Sequence, residues 1–384
     1  MLSYWEKQSL LKYDYIVAGS GIVGLSAAIT LKEREPKSRV LVLEREILPT
    51  GASTKNAGFA CIGSLTEILA DLQTMPVEDV LNLVAMRLSG LALLRERLGD
   101  KHIGYRENGS YELIGTKQEW ALDQLKEINE MMRFLFNDLP AFTLTNEMLT
   151  PFGFAKEYIK AVIRNNFEGE LHTGMMMRAL IDLAIHSGVE IKTGCLIDHV
   201  EDFHTGVSVV VNHHTLKESV VFEAHKLLIC TNAFTKQLFP DEDVVPGRGQ
   251  VLITEPVSDL PFKGIFHFEE GYYYFRELDG RILLGGGRQL DFAGETSTAF
   301  VFNDRIHHEL EELLHRVILP GRRVAVADRW TGIMAFGKTK QPIIKTYSEN
   351  IILGVRMGGM GVAIGSVIGE KIAALAQGAI SREL

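Results

Sequence analysis

The chain has 384 residues, 46% of them hydrophobic and 23% charged, the balance of a soluble globular protein with room for one large domain or two of ordinary size. Its formal net charge of −9 argues against a nucleic-acid surface, which needs clustered positive charge. The three cysteines, Cys61, Cys195 and Cys230, stand far apart in no CxxC pair, which excludes a disulfide scaffold and fits a reducing cytoplasm.

The first segment, "MLSYWEKQSLLKYDY", is polar and mixed in charge, without the apolar stretch of a secretion signal. No run of ~18 or more uncharged apolar residues occurs to form a spanning helix. A cytoplasmic protein with no transmembrane segment is expected.

Tyr13 to Ala18 is a short apolar run rich in Tyr, Ile and Val and predicts a buried strand. It leads into Gly19-Ser20-Gly21-Ile22-Val23-Gly24, a G-x-G-x-x-G. Ile22, Leu25, Ala28, Ile29 and Leu31 then form a helical stripe that stops near Pro36. "RVLVLE" predicts a second strand ending in Glu44. In such a unit the first glycine permits the tight turn and the second lets backbone N–H groups approach a pyrophosphate. The third lets helix and strand pack closely. A carboxylate at the end of the second strand accepts hydrogen bonds from both hydroxyls of a ribose. The unit predicts a dinucleotide site, with NAD, NADP and FAD all open. NADP is least favoured, because Glu44 repels a 2′-phosphate, although Arg45 follows it.

"ILPTGASTKNAGFACIGS" comes next, polar and glycine-rich with no clear period. Pro76 to Leu98 then carries Val80, Leu81, Val84, Met86, Leu88, Leu91 and Leu94 at helical spacing, with charges between them, an amphipathic helix. "YRENGSYELIG", with a turn at Asn108-Gly109, predicts a hairpin, and "KQEWALDQLKEINEMMRFL" another amphipathic helix. Met175 to Ile185 predicts a helix, followed by strands in "GVEIKTGCLIDHVED" and "GVSVVVNH". "HKLLICTNAFTKQLF" predicts a strand, a polar turn and a helix. "GRGQVLITEP", "GYYYFRELDG" and "RILLGGGRQ" predict antiparallel strands, and "DRIHHELEELLHRVI" a helix. The chain closes on "NIILGVRMGGMGVAIGSVIGEKIAALAQG": strand, glycine loop and helix, with Gly378 as C-cap. The alternation of elements predicts two interleaved domains.

That last segment repeats the logic of the first. A loop with Gly358, Gly359 and Gly361 offers backbone N–H groups and the positive end of a helix to something polar. A flavin needs this, since its pyrimidine carbonyl gains negative charge on reduction.

With these blocks in order, the chain resembles the D-amino-acid-oxidase-like family of FAD-dependent oxidoreductases, nearest its glycine oxidase, sarcosine oxidase and gamma-glutamylputrescine oxidase group. "SYWEKQ" with "YDYIVAGSGIVGLSAA" is similar to the start of the last of these. "GASTKNAGFA" resembles the segment that wraps the flavin. "ELHTGMMMRAL" with "GVEIKTGCLI" resembles the central helix and strand, and "LLICTNAFT" the strand and turn under the cofactor. "PGRGQVLITEP", "YYYFRELDGRILLGGGR" and "RWTGIMAFGKTKQPII" match the remaining blocks.

The resemblance implies an α/β fold: a Rossmann-like FAD-binding domain of the glutathione-reductase/p-hydroxybenzoate-hydroxylase type, interleaved with a mostly antiparallel α+β substrate domain. The FAD-binding domain would take residues 1–75, 152–245 and 330–384, and the substrate domain 76–151 and 246–329. FAD would bind non-covalently at Gly19, Gly21, Ile22, Val23 and Gly24. Glu44 would hold the ribose, with Arg45 close to the adenine and Ile197 at the adenine end. Ser53, Thr54, Asn56, Ala57 and Gly58 would line the pyrophosphate and the isoalloxazine edge, and Thr231 and Asn232 would pass under the cofactor. Gly358, Gly359, Met360, Gly361 and Val362 would supply N–H groups to the flavin carbonyl.

Members of this family transfer a hydride from a carbon bearing an amine to flavin N5, giving an imine that water hydrolyses; the cofactor does the hard chemistry. The expected substrate is a small amine, amino acid or hydroxy acid, with O2 or an electron carrier as acceptor. Lys55, in the flavin loop, is the candidate cation for the reduced flavin, against the plainer reading of a solvated lysine. Family amino-acid oxidases often carry an arginine where this chain has Met334, and Lys338-Thr339-Lys340 replaces their Thr-Pro-Asp turn. That departure shifts attention to Arg356, Arg276 and Tyr274, since loop arginines suit anion recognition; the alternative for Arg356 is a structural ion pair. Competing functions are a flavoprotein dehydrogenase of a 2-hydroxy acid or polyol phosphate that passes electrons to a quinone, and a non-catalytic flavin-binding protein. His213-His214 and His307-His308 are not expected to bind metal, because no third ligand is placed by spacing. Cys61 is expected to be a small buried residue rather than a flavin tether.

Overall fold

The computed structural model describes residues 2–213 and 218–378; His214 lies outside them. Two eight-stranded sheets organise these residues, and the chain passes back and forth between them. The first sheet runs Ile343–Thr346, Ile351–Val355, Glu218–Ile229, Lys12–Ala18, Val40–Leu43 and Glu190–Lys192. Lys12–Ala18 lies parallel to both Glu218–Ile229 and Val40–Leu43. Ile16, Val17, Ala18, Leu41 and Val42 are wholly buried, as expected of central strands covered on both faces. One face carries the Ile22–Arg34, Thr173–His186 and Gly361–Ala376 helices. The other carries an antiparallel ribbon, in which Gly206–His213 joins Ile197–Phe203 to Glu218–Ile229.

Three helices meet at glycines. A Cβ at Gly365 would lie 2.6 Å from Ile22 Cγ2, and one at Gly369 would lie 2.7 Å from the Ala27 nitrogen and the Val23 carbonyl oxygen. A Cβ at Gly90, in the Val77–Leu98 helix, would overlap the Ala363 carbonyl. The Gly361–Ala376 helix is thereby clamped between the Ile22–Arg34 and Val77–Leu98 helices. The expected C-cap is present: Gly378 has φ +70° and its N–H donates to the Leu375 carbonyl at 3.1 Å.

The second sheet runs Val326–Phe336, Val245–Thr254, Arg281–Gly286, Tyr273–Leu278, Ile265–Phe268, Ser110–Gly115, Ile159–Asn165 and Phe142–Leu144. It is antiparallel except where Ile265–Phe268 meets Ser110–Gly115. One face packs a phenylalanine cluster (Phe154, Phe262, Phe266, Phe275) under the Asp304–Leu313 helix. The α/β fold is thus as expected.

Two local expectations fail. "YRENGSYELIG" is not a hairpin: Ser110–Gly115 pairs antiparallel with the distant Ile159–Asn165 and parallel with Ile265–Phe268. Gly109, at φ +106°, turns the chain so that its carbonyl accepts from Ile265 N–H. The "KQEWALDQLKEINEMMRFL" segment divides into a 3-10 stretch Thr116–Gln124, an α-helix Leu125–Met132 and a 3-10 turn Arg133–Phe136. Only Ala121 is buried in the first part, so it lacks the packed apolar face that stabilises most protein helices.

Candidate active site

A cavity of about 650 Å³ lies between the two sheets, where the glycine-rich turns of the first face the free side of the second. At one end the Lys12–Ala18 strand delivers Gly19, whose φ of +104° is open to glycine and whose Cβ would press within 2.9 Å of the Cys230 carbonyl. Gly21 caps the Ile22–Arg34 helix without any side-chain cap, so its positive end faces the cavity. Glu44 is buried and already oriented: its Oε2 accepts from Ser20 N–H (3.1 Å) and the Ser20 hydroxyl (2.6 Å), and its Oε1 from Glu46 N–H at 3.2 Å. Arg45 stacks on Phe234, with its Cζ 3.6 Å from the ring centre. Ile22, Val23, Ile197, Thr231 and Asn232 complete this end. Gly24 does not line the cavity; a Cβ there would overlap the Gly19 carbonyl, so it serves the close packing of turn and helix.

The next segment locks onto the first. Ser53 Oγ accepts Ile22 N–H at 3.0 Å. Asn56 Oδ1 accepts from Gly58 N–H (2.9 Å) and the Thr173 hydroxyl (2.8 Å), bracing the loop against the Thr173–His186 helix. Ser53, Lys55, Asn56 and Ala57 line the cavity. Thr54 and Gly58 do not. The Thr54 hydroxyl donates to the Pro49 carbonyl at 2.9 Å, and Gly58, at φ +75°, lets the chain pass Leu171. Gly358, Gly359, Met360, Gly361 and Val362 bring the second helix start to the same space, and Met360 caps it without a side-chain hydrogen bond. Asn232, at φ +47°, holds that loop through Oδ1, which accepts from Arg356 N–H (3.1 Å) and Met357 N–H (3.3 Å).

The second sheet forms the far wall. Burial pushes the Tyr274 phenol up to about 12, so it is a neutral hydroxyl at any working pH. His267, directly across the strand pair, is buried and pushed down to about 4 by that burial, only partly opposed by Glu67. Its Nε2 has no partner among the described residues. Phe59 stands edge-on to both rings, at 5.1 and 5.6 Å. Burial pushes the Glu67 carboxyl up, but the Arg87 guanidinium, with Lys340 and His267, overrides it and leaves it below the usual range. Lys340 is itself paired with Asp71.

Two of the expected arginines stand elsewhere. Arg276 is 4% exposed and off the cavity; its Nη1 donates to the carbonyls of Ala57 (3.2 Å), Gly58 (3.2 Å) and Leu171 (2.8 Å), with Glu170 at 3.5 Å. The loop that lines the cavity covers it. Arg356 forms the ion pair that was its alternative. It binds Asp243, and donates to the Gln341 carbonyl (2.9 Å) and Thr339 Oγ1 (3.2 Å). His267, Glu67 and Arg288 line the cavity but escaped the sequence reading. Only Arg288 carried a signal, since it follows Gly285-Gly286-Gly287 as Arg356 precedes its own glycine loop.

Beside the cavity two buried acids feed a pH dependence. Glu168 accepts from Ile62 N–H, Gly63 N–H and the Ser110 hydroxyl, and Glu112 from Thr66. Burial nevertheless pushes both up to about 7. The folded state therefore holds their protons more tightly than the unfolded chain, a stabilisation present below about pH 4.5 and lost as pH rises through about 7. A Glu168→Gln variant should gain roughly 3 kcal/mol on the wild type between pH 4.5 and 8. Urea unfolding at each pH measures it, and a pH-independent difference would refute it.

A profile of the FAD dependent oxidoreductase family, DAO, matches residues 14–375. The chain is similar to the bifunctional protein ThiO/ThiG of Synechocystis sp., 22% identical over 359 residues, covering 89% of this chain and 48% of that protein. It thus spans about half the length of that curated relative. Its fold is similar to that of glycine oxidase from Geobacillus kaustophilus, with a TM-score of 0.77, 18% identity, and 97% and 96% of the two chains covered. It is also similar to L-proline dehydrogenase from P. horikoshii, with a TM-score of 0.78, 15% identity, and 97% and 95% covered.

Proposed function

The chain belongs to the DAO family of FAD-dependent oxidoreductases, and from that premise we propose that it oxidises the C–N bond of a small amine or amino acid. The observation that carries this reading is the continuity of the cavity. Both glycine-rich helix starts and the second sheet's Tyr274 and His267 face one space. Relatives of similar fold include a glycine oxidase, an L-proline dehydrogenase and an L-amino acid deaminase, enzymes named for amino-acid substrates.

The residues present fit FAD. A buried carboxylate, Glu44, points a braced acceptor edge at the cavity, and two helices start there uncapped, as a ribose and a pyrophosphate require. A Cβ at Gly359 would meet only Met334 Sδ, at 3.7 Å, so the space a side chain would fill is left to a ligand. When bound, FAD supplies the hydride acceptor for the substrate carbon. The chain's own residues position the substrate and control its protons. His267 and Tyr274 are neutral, so they orient a substrate by hydrogen bonding without repelling an amine. Glu67 is anionic and attracts its ammonium. Lys55 Nζ makes no ion pair among the described residues, and its backbone is anchored by Trp330 Nε1 donating to the Lys55 carbonyl at 3.0 Å. It lines the cavity as a cation that can serve the reduced cofactor. Cys61 lines the cavity, but burial pushes its thiol well up; a thiol so disfavoured as thiolate is a poor nucleophile, which supports non-covalent attachment.

Anaerobic titration of the yellow protein with amines, amino acids and hydroxy acids tests the reading. Amines or amino acids should bleach the flavin absorbance. Bleaching by hydroxy acids alone would transfer the chain to the dehydrogenase reading, and a protein that binds no FAD would remove the premise.

A further inference from the structure

The cavity contains a charge that nothing in the fold answers. Arg288 follows the Arg281–Gly286 strand and lines the cavity, half-buried. Its guanidinium lies over the Phe336 ring, Cζ 4.2 Å from the centre, with Phe292 at 5.2 Å. Among the described residues it forms no ion pair, and its Nε is buried without a hydrogen-bond partner. Burial pulls its pKa down; Tyr272 and Glu295 only partly offset this. Glu295 is already engaged by Arg248 at 2.7 Å. Removing a cation from water without an opposing charge costs free energy, and a fold keeps such a group where a ligand completes it.

We propose that Arg288 is the anion-reading residue of this cavity, and that the group it takes is a substrate carboxylate. The proposal rests on the reading of the cavity as the substrate site. One cation between two aromatic rings balances one negative charge, and a planar guanidinium matches a planar carboxylate. A phosphate dianion would remain half-neutralised in the same place. Gly247 makes the arrangement possible. It pairs across the sheet with Met334, and a Cβ there would overlap the Phe336 ring and sit 2.8 Å from Arg288 Cζ. The arginine head therefore lies over Gly247, whose cross-strand partner is Met334, the position at which the sequence lacks the expected arginine.

Isothermal titration of the flavin-loaded protein with benzoate, acetate, phosphate and sulfate tests the assignment without turnover. The wild type should bind benzoate and acetate. Arg288→Met should bind them at least 30-fold more weakly, Arg288→Lys should fall between, and Gly247→Val should weaken binding with its arginine intact. Because the lost charge has no protein partner, Arg288→Met should melt at or above the wild-type temperature. Unchanged carboxylate binding in Arg288→Met, preference for phosphate or sulfate over both carboxylates, or a Tm lowered by more than about 5 °C overturns the proposal. Amines that bleach the flavin while carboxylates ignore Arg288 would refute this assignment alone. Arg288-dependent carboxylate binding in a protein that no amine reduces would leave it standing and refute the amine reading.

Discussion

A Gly21→Val protein is expected to purify colourless and to bind added FAD at least 100-fold more weakly than the wild type. Gly21 has φ −76° and ψ −176°, extended backbone that valine adopts without strain, so the loss does not come from the main chain. It comes from volume. A Cβ at this position lies 2.8 Å from Ser53 Oγ, the atom that accepts Ile22 N–H and ties the two cofactor segments together. The two methyl groups of valine would displace Ser53 or enter the space before the helix start, and either outcome removes N–H groups from a bound anion. A 100-fold loss corresponds to about 2.7 kcal/mol. The ratio of flavin to protein absorbance and the Kd of reconstitution measure it, and a yellow variant of wild-type affinity would contradict the fingerprint's role.

Arg276→Met is expected to cost about 3–5 kcal/mol of stability, the penalty for breaking a buried charge pair by removing one partner. Its guanidinium serves four carbonyls, those of Ala57, Gly58, Leu171 and Glu277, and it stands beside Glu170, whose Oε2 has no hydrogen bond of its own. Methionine fills the volume but leaves Glu170 unbalanced. Arg276→Lys should recover less than half of the loss, because a compact ammonium cannot reproduce the geometry of the planar fork. Since Ala57 and Gly58 belong to the loop that lines the cavity, flavin affinity should fall with stability in both variants. Urea unfolding and flavin retention together measure this; a stable Arg276→Met protein that had lost only turnover would make Arg276 a substrate contact instead.

The glycine turns were legible because their requirement is local. Gly19 and Gly359 need backbone that other residues avoid, and such a need appears in the sequence next to the elements it joins. Glu44 was legible for the same reason, as the acid that ends a strand. The strand pairing of Ser110–Gly115 was not, because its partners lie far along the chain and the Asn108-Gly109 turn gave a stronger local signal. Arg276, Arg288 and Arg356 look alike in sequence. Their roles depend on what crosses above each: the Ala57–Gly58 loop over the first, open cavity beside the second, Asp243 against the third. His267 and Glu67 acquire meaning only from burial and from each other, which no spacing along the chain encodes.

The glycine clamp on the Gly361–Ala376 helix also sets an order of events during synthesis. Ser26 and Ser366, whose hydroxyls meet at 3.4 Å, are 340 positions apart. A ribosome takes on the order of tens of seconds to cover that distance. Throughout that interval the Ile22–Arg34 helix has emerged without the partner that buries one of its faces, and the cofactor cavity lacks the wall that holds Gly358 to Val362. The nascent chain must keep this surface from other chains until the Gly361–Ala376 helix arrives. Completion of the cavity therefore waits for residues 358–376, and a chain truncated before residue 361 is expected to bind FAD more weakly than the full chain however much of the opening fingerprint it retains.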